Sequence, residues 1–448
     1  MSHRITGLET EYGCLAEPAV PIQEVLPRVR DWLFENDRYG LIDLHDRDWD
    51  EPAGNGGFLF NGGRVYIDMG HLEYCTPECA SALDVVRYDR AGDLLVQEAV
   101  RALKLEGQIS FIRNNVDHYM DATFGCHENY SLDRRALLHE KNVLSLLAFL
   151  TLRVLYTGAG RVGSIRACRF RGEVLPREQA ALFQISQRAD YIQNDFFEWV
   201  QHNRAIINTR DEPLADPRQY RRLHLIHGDS NVLPATVFLK VGTTRLVLDL
   251  LDADALPAIA LHDAVTTLRL LSRTLSPPWC VPLTDGRLSD AVEVLGSYQR
   301  RAKQLFKGRD VETDALLELW GRVLHALATD RGSLVGLLDW VTKEFLFERF
   351  CSREGIEWGH PWLEAQDLEF HHIDPDRSLG LALANVEGFW GPTALKQAMS
   401  QPPADSRAHA RSRLMREIQG KETAYFLDWE AVEVPNQKRT RLLNPFQP

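Results

Sequence analysis

The sequence predicts a mixed chain of strands and helices in two domains, and three observations carry that reading. Residues 64–68 (RVYID) alternate polar and apolar, the period of a half-buried strand. Segments such as 84–105 and 311–328 place apolar residues at helical spacing instead. The chain has 448 residues, more than one core usually holds. The polar break HHIDPDRS at 371–378 marks the boundary, giving domains 1–375 and 376–448.

Composition narrows the class. Hydrophobic content of 44% with 25% charged residues is that of an ordinary globular protein. A net charge of -12 argues against general nucleic-acid binding, although local basic clusters leave an acidic ligand open. The start, MSHRITGLETEYG, lacks a charged-then-apolar signal pattern. No run of about 18 apolar residues occurs, so neither a membrane partner nor a location outside the cytoplasm is expected. The seven cysteines are scattered, and only Cys75 and Cys79 lie close. No second pair or histidine couple completes a zinc pattern, which predicts reduced thiols.

In chain order, residues 4–14 read as a strand. Glu9 and Glu11 share one face there, with Cα atoms about 7 Å apart. Two adjacent carboxylates repel unless a cation or solvent relieves them. Magnesium, a hard ion taking oxygen ligands, is the natural cation, and two exposed glutamates on an edge strand is the competing reading. Residues 22–36 predict a helix with Pro27 as a kink. Residues 37–62 read as a loop rich in Asp, Gly and Asn, with GNGG at 54–57 its flexible part. No lysine-containing phosphate loop follows those glycines.

The strand at 64–68 turns Val65 and Ile67 to a core and Arg64, Tyr66 and Asp68 to one polar surface. Such a row is costly to half-bury unless compensated. Gly70 lets the chain bend before Glu73. This is the raw material of a metal and phosphate site, or else a solvated edge strand.

A helix at 84–105 follows. Asn114, Asn115, Asp117, His127, Glu128 and Asn129 then lie within 109–132, as a site wall, a stabilised turn or a plain loop. Residues 135–156 predict a long apolar core helix. The stretch 208–231 carries Arg210, Arg218, Arg221, Arg222, His224 and His227 beside Asp211, Glu212 and Asp229. The planar guanidinium fork suits phosphate or carboxylate, and an internally paired network fits equally. Residues 235–251 are a strand or a buried helix. Helices are expected near 257–275, 311–328 and 334–352, with Trp340 and Phe345 in the core. A proline entry and a basic helix occupy 401–418, where Arg407, Arg411 and Arg413 read as solvated or as holding an acidic partner. Residues 426–434 read as an alternating strand, with Trp429 by default a core residue.

Taken together, the pieces GLETEYG, FNGGRVYID, HLEYCTPEC, RNNVD, GCHENY, SQRADYI, INTRDEPLADPRQYRRLH, GDSN, LKVGTT, LDWVTK, QPPADSRA and DWEAVEVPNQKRTRLLNPF resemble the Pup ligase and depupylase family nearly end to end. These enzymes attach or remove the ubiquitin-like protein Pup and are related to glutamine synthetase. The resemblance implies an α+β fold: a glutamine-synthetase-like curved, mostly antiparallel sheet cradling ATP, plus a small C-terminal domain. It implies magnesium binding by Glu9, Tyr66 and Glu73, with Glu11 a further ligand, and a catalytic base at Asp68. It implies ATP contacts at Arg64, Thr76 and Trp429, and phosphate or Pup-carboxylate binding around Arg210. The implied partners are Pup or a Pup-like modifier and lysine-bearing target proteins.

GCHENY with Cys126, FLFNGG and the C-terminal stretch resemble the ligase. The short spacing from Asp68 to Glu73 resembles the depupylase, Leu72 stands where both have proline, and the 41–57 insert fits neither. The ligase is the favoured expectation. A depupylase or Pup deamidase and a small-molecule carboxylate-amine ligase are the alternatives. A retired paralogue is disfavoured by the intact set Glu9, Tyr66, Asp68 and Glu73.

Overall fold

The computed structural model describes residues 4–47, 51–118, 122–163, 182–198, 203–421, 423–434 and 439–448. Residues 1–3, 48–50, 119–121 and 435–438, parts of segments singled out above, lie outside them. The described chain is α+β. Its first half runs β1 (Thr6–Ala16), α1 (Ile22–Phe34), β2 (Gly40–Ile42), β3 (Gly56–Leu59), β4 (Arg64–Asp68), β5 (His71–Cys75), α2 (Ala82–Ala102), β6 (Ile109–Ile112), β7 (Cys126–Asp133), α3 (Glu140–Leu152), α4 (Val154–Thr157), β8 (Arg161–Val162), β9 (Phe183–Gln184), β10 (Asn194–Phe197), β11 (Ala205–Asn208) and β12 (Tyr220–Leu225). The second half is mostly helical: α5 (Pro234–Asp252), α6 (Ala264–Arg273), the hairpin β13 (Cys280–Pro282) and β14 (Leu288–Asp290), α7 (Ala291–Phe306), α8 (Val311–Thr329), α9 (Asp339–Glu354), α10 (Pro361–Phe370), α11 (Leu379–Leu383), α12 (Pro392–Ala398) and α13 (Arg407–Ile418). Three short strands close it: β15 (Phe426–Leu427), β16 (Ala431–Glu433) and β17 (Thr440–Arg441).

The main sheet runs β10-β11-β12-β7-β1-β5-β4-β3-β2, with β6 also paired to β1. Its pairs are antiparallel except β10 with β11. Alternation decides what each face carries. Leu8, Thr10 and Tyr12 of β1 are buried on the helix side, and the Tyr12 hydroxyl donates to Asp93 of α2 at 2.9 Å. Val65, Leu72 and Tyr74 join α1 and α2 in the same core. A second apolar cluster gathers α3, α5, α7, α8 and α9 behind β7 and β12. The opposite sheet face carries Glu9, Glu11, Tyr66 and Glu73. The C-terminal strands and α13 form a third cluster with Leu41, Phe58 and Phe60.

Several elements differ from expectation. Residues 37–62 are not simply a loop, because they hold β2 and β3. Gly56 and Gly57, read as flexible, are buried strand residues. A Cβ on Gly56 would lie 2.3 Å from Tyr66 Cβ, and one on Gly40 would lie 2.0 Å from the Phe58 carbonyl oxygen. The glycines serve close backbone approach. Residues 235–251 form a buried helix. The 257–275 helix is confined to α6, whose start is capped by Asp263 accepting from Thr266 N–H at 2.8 Å. The 135–156 helix begins at Glu140 and breaks at Arg153. Trp340 is core, whereas Phe345 is half-buried and Phe347 takes the core place. The 426–434 strand is a hairpin with Trp429 in its turn. There the Asp428 carboxylate accepts from Trp429 N–H at 2.6 Å, and Asp428 N–H bonds Ala431 O at 2.8 Å. Cys75 and Cys79 are buried free thiols. No described helix is long and apolar enough to cross a membrane.

The packing at β3 yields a test. Gly56→Ala should destabilise the protein by about 2 kcal/mol through overpacking against Tyr66. Urea denaturation reads it, and wild-type stability would mean that β3 shifts freely.

Candidate active site

Cross-strand register assembles the site. In one row Tyr66 stands opposite Glu73, and Glu73 opposite Glu11. In the next, Arg64 faces Cys75, Cys75 faces Glu9, and Glu9 faces His127. Asn129 faces His224 one row further on. Directly opposed residues share a face, so five strands contribute to a single polar surface. Asp68 ends β4, opposite His71.

Two groups of potential ligand atoms result. Oxygens of Glu11, Asp68 and Glu73 lie within 4.8 Å of one another, and so do atoms of Glu9, His127 and His224. Tyr66 donates a short hydrogen bond to Glu73 Oε1. Cys75 Sγ sits 3.7 Å from that same oxygen. Glu9 bonds His127 Nδ1 at 3.1 Å and accepts from Asn129 Nδ2 at 2.8 Å.

Electrostatics separate the carboxylates. Burial opposes ionisation of Glu9, but the His127 hydrogen bond and the His224, His127 and Arg222 charges outweigh it and hold the carboxyl low. Burial opposes ionisation of Glu11 too. The His71 bond, the His127 charge and the Gly125 amide lower it to about 2. Glu73 goes the other way. Burial, then the charges of Glu9 and Glu11, push it well above the carboxylate range, and the Tyr66 bond offsets only part. A bound cation would reverse that imbalance. His224 Nε2 is buried and has no partner among the described residues. Oxygen-rich donors beside such an orphaned nitrogen fit divalent cations.

Next to these groups opens a cavity walled by Glu9, Arg64, Tyr66, Thr76, Glu78, Arg222, Arg407 and Trp429, among others. Arg64 lies 4.3 Å over the Tyr66 ring and is paired with Glu51 at 2.9 Å. Thr76 Oγ1 accepts from Leu8 N–H at 3.0 Å, so this side chain also fastens β5 to β1. Trp429 meets Phe58 edge-on at 5.0 Å. Thus Glu9, Glu11, Tyr66, Asp68 and Glu73 come together on the sheet face, and Arg64, Thr76 and Trp429 line the adjoining cavity. Arg210 is exposed, bonds Glu212 at 2.8 Å, and is not a lining residue; Arg221 and Arg222 are. Asp211 pairs with Arg134 and Asp216 with Arg218, while His227 and Asp229 are buried away from the cavity, Asp229 accepting from the backbone N–H of Ala159, Gln187 and Arg188.

Three participants escaped the sequence reading. His127 and His224, on the polar stretches 109–132 and 208–231, both flank Glu9. The available signal was parity: in GCHENY the first and third polar residues share a face, and Glu128 points away. Glu78 was passed over. It is buried between Arg407 (2.6 Å) and Arg411 (2.6 Å), which are therefore neither solvated nor free for a partner; Arg413 is exposed.

A sheet surface combining clustered carboxylates and histidines with a cavity of guanidinium and indole walls offers acceptors to a cation beside donors to an anionic ligand. The particular family is settled by comparison: the profile described as Pup-ligase protein matches residues 4–433, and the chain belongs to that family. It is 34% identical to the Pup–protein ligase of Brachybacterium faecium, covering 100% of this chain and 94% of that one. It is 32% identical to a depupylase of Acidothermus cellulolyticus, at 100% and 94% coverage. The solved complex of Pup with its ligase PafA superposes with a TM-score of 0.84 at 31% identity, covering 100% of this chain and 90% of that chain. PafA in complex with ADP gives 0.78 at 31% identity, over 98% and 93%.

The Glu78 cluster predicts an acid sensitivity. Burial opposes its ionisation, but Arg411 and Arg407 bring it from 4.5 to about 2. A depressed folded-state value means the stabilisation is complete above 4.5 and is lost as pH falls toward 2. Glu78→Gln leaves two buried guanidiniums short of a counter-charge, costing about 3 kcal/mol at pH 7. Urea midpoints of both proteins should converge as pH drops through that window; a constant gap would refute the linkage.

Proposed function

We propose that this protein is an ATP-dependent ligase. It joins the side-chain carboxylate of the C-terminal glutamate of Pup, or a Pup-like modifier, to a substrate lysine in the cytoplasm. The observation that carries this is the row Tyr66, Glu73, Glu11 with Asp68 at its end, beside a cavity walled by Arg64 and Trp429. It agrees with relatives named as Pup–protein ligases.

A carboxylate is a poor acyl donor because oxide is a poor leaving group. ATP converts it to a γ-glutamyl phosphate, which the lysine amine attacks with loss of phosphate. Arg64, Thr76 and Trp429 bind the nucleotide, Trp429 offering a large apolar wall. Arg222 and Arg221 face the anionic groups through planar forks, and Arg210 at the rim meets phosphate or the modifier's carboxylate. Glu9, Glu11, Tyr66 and Glu73 hold magnesium, with His127 and His224 flanking Glu9. When bound, the ion offsets phosphate charge and orients the transferring group. The lysine ammonium, pKa about 10.4, must lose a proton before attack. Asp68 accepts or orients that proton, and its placement matters more than its basicity. Residues 376–448 serve as the smaller domain that completes the nucleotide site.

A depupylase reading has one specific support, the short Asp68-to-Glu73 spacing, so both directions belong in the assay. Purified protein with ATP, magnesium, a Pup-like protein ending in glutamate and a lysine-bearing target should yield conjugate. Release from a preformed conjugate without net formation would favour the depupylase. Asp68→Asn should keep ATP binding while slowing conjugation by about 100-fold or more. Glu9→Ala and Glu73→Ala should each weaken magnesium-dependent ATP affinity by at least about tenfold, read by calorimetry. Undiminished affinity in both removes the cation assignment.

A further inference from the structure

Two arginines hold the C-terminal hairpin: Arg47 bonds Asp428 and the Leu427 carbonyl, each at 2.9 Å, and Arg411 bonds the backbone of Trp429 itself. Arg411 is fully buried on α13. Its guanidinium donates to Glu78 Oε2 at 2.6 Å and Oε1 at 3.0 Å, to the Gly62 carbonyl at 2.8 Å, and to the Trp429 carbonyl at 3.0 Å. The same guanidinium lies 4.9 Å from the Trp429 ring centroid and 5.2 Å from Phe58. Glu78 and Gly62 lie on segments that adjoin strands of the large sheet. The segment holding Glu78 is tied to β1 by Thr6 N–H to Cys79 O at 2.9 Å and Cys79 N–H to Thr6 O at 3.0 Å. Gly62 lies in the turn between β3 and β4. Arg411 therefore joins two fixed points of the sheet to both the backbone and the ring of Trp429.

We propose that Arg411, oriented by Glu78, is a positioning residue for the nucleotide: it sets the place and tilt of the Trp429 indole in the cavity wall that Arg64 and Thr76 also line. This rests on the ATP-ligase reading above. A planar fork with five donors can hold these acceptors at once, and a lysine ammonium cannot reproduce its geometry. Arg407 pairs independently with Glu78 at 2.6 Å and with Leu442 O at 3.0 Å. The carboxylate therefore stays neutralised when Arg411 is replaced. That separates positioning from charge balance, because the ion pair is kept while the link to Trp429 is cut. A buried ion pair is in any case weak evidence for stability, so its geometric role is the more informative one.

The test is a double-mutant cycle on the full-length protein, reading ATP KM and kcat for conjugation. Arg411→Lys and Arg411→Gln should each raise ATP KM by about fivefold or more while kcat stays within about twofold. In a Trp429→Ala background the same substitutions should add less than about twofold, because the residue they act through is gone. ATP-induced change in tryptophan fluorescence should shrink in Arg411→Lys and stay unchanged in Arg413→Lys, an exposed site on the same helix. An unchanged KM in both Arg411 variants overturns the proposal, as does an equal rise in KM with and without Trp429. Wild-type protein that neither binds ATP nor forms conjugate would instead overturn the ligase reading.

Discussion

The site depends on the register of β1 between β5 and β7. Side chains alternate along a strand, so a slip of one residue would carry Glu9 and Glu11 off the polar face and replace them with Leu8, Thr10 and Tyr12. The buried side prevents that slip. Leu8 packs in the large cluster, Tyr12 bonds Asp93, and Thr76 clamps Leu8 N–H from the next strand. Contacts on the buried side of β1, such as Tyr12 to Asp93, thus determine which carboxylates reach the polar surface.

That geometry has an electrostatic consequence. Glu9, Glu11, Asp68 and Glu73 crowd one end of the surface, while Arg64, Arg221, Arg222 and Arg407 stand around the cavity. Without a cation the carboxylates cannot all ionise cheaply, and the deepest of them, Glu73, is driven toward its protonated form. With one bound, the acidic end would be neutralised, while Arg64 and Arg407 keep their partners Glu51 and Glu78 and the cavity stays lined by guanidiniums. A phosphorylated ligand carrying a divalent ion would meet both ends at once, since the two halves sit side by side on one face.

How much of this the sequence disclosed depends on how local each signal was. The alternation in RVYID and the E-T-E spacing place Tyr66, Asp68, Glu9 and Glu11 correctly, because strand parity is a nearest-neighbour property. Helix α7 carried its signal too: Asp290 caps it, and Val292, Leu295, Tyr298 and Ala302 follow at helical spacing. Gly56 and Gly57 misled because glycine marks both turns and close backbone approach, and only the opposing Tyr66 decides which. Arg411 misled for a stronger reason. Its partner Glu78 is 333 residues away in sequence, so no periodicity on α13 could separate a buried clamp from a solvated basic face.

The last constraint concerns β7, which must serve two environments. His127 and Asn129 face Glu9, so parity forces Glu128 into the core, where it is fully buried. A lone carboxylate there would be prohibitive, and Arg153 answers it with two hydrogen bonds, one of them 2.9 Å long. An apolar residue at position 128 would bury as well and would dispense with the cost of two desolvated charges. What it would lack is direction. Arg153 also bonds Lys240 O at 3.2 Å and Thr244 Oγ1 at 2.5 Å on α5, and the Tyr130 hydroxyl donates to Glu128 at 2.6 Å. These contacts fix β7 along its own axis against α3 and α5. Apolar packing would tolerate a shift of a fraction of a residue, whereas a forked ion pair with three further acceptor and donor constraints does not. The position of His127 opposite Glu9 is therefore set from the far side of the strand, by a pair of charges that takes no part in the chemistry.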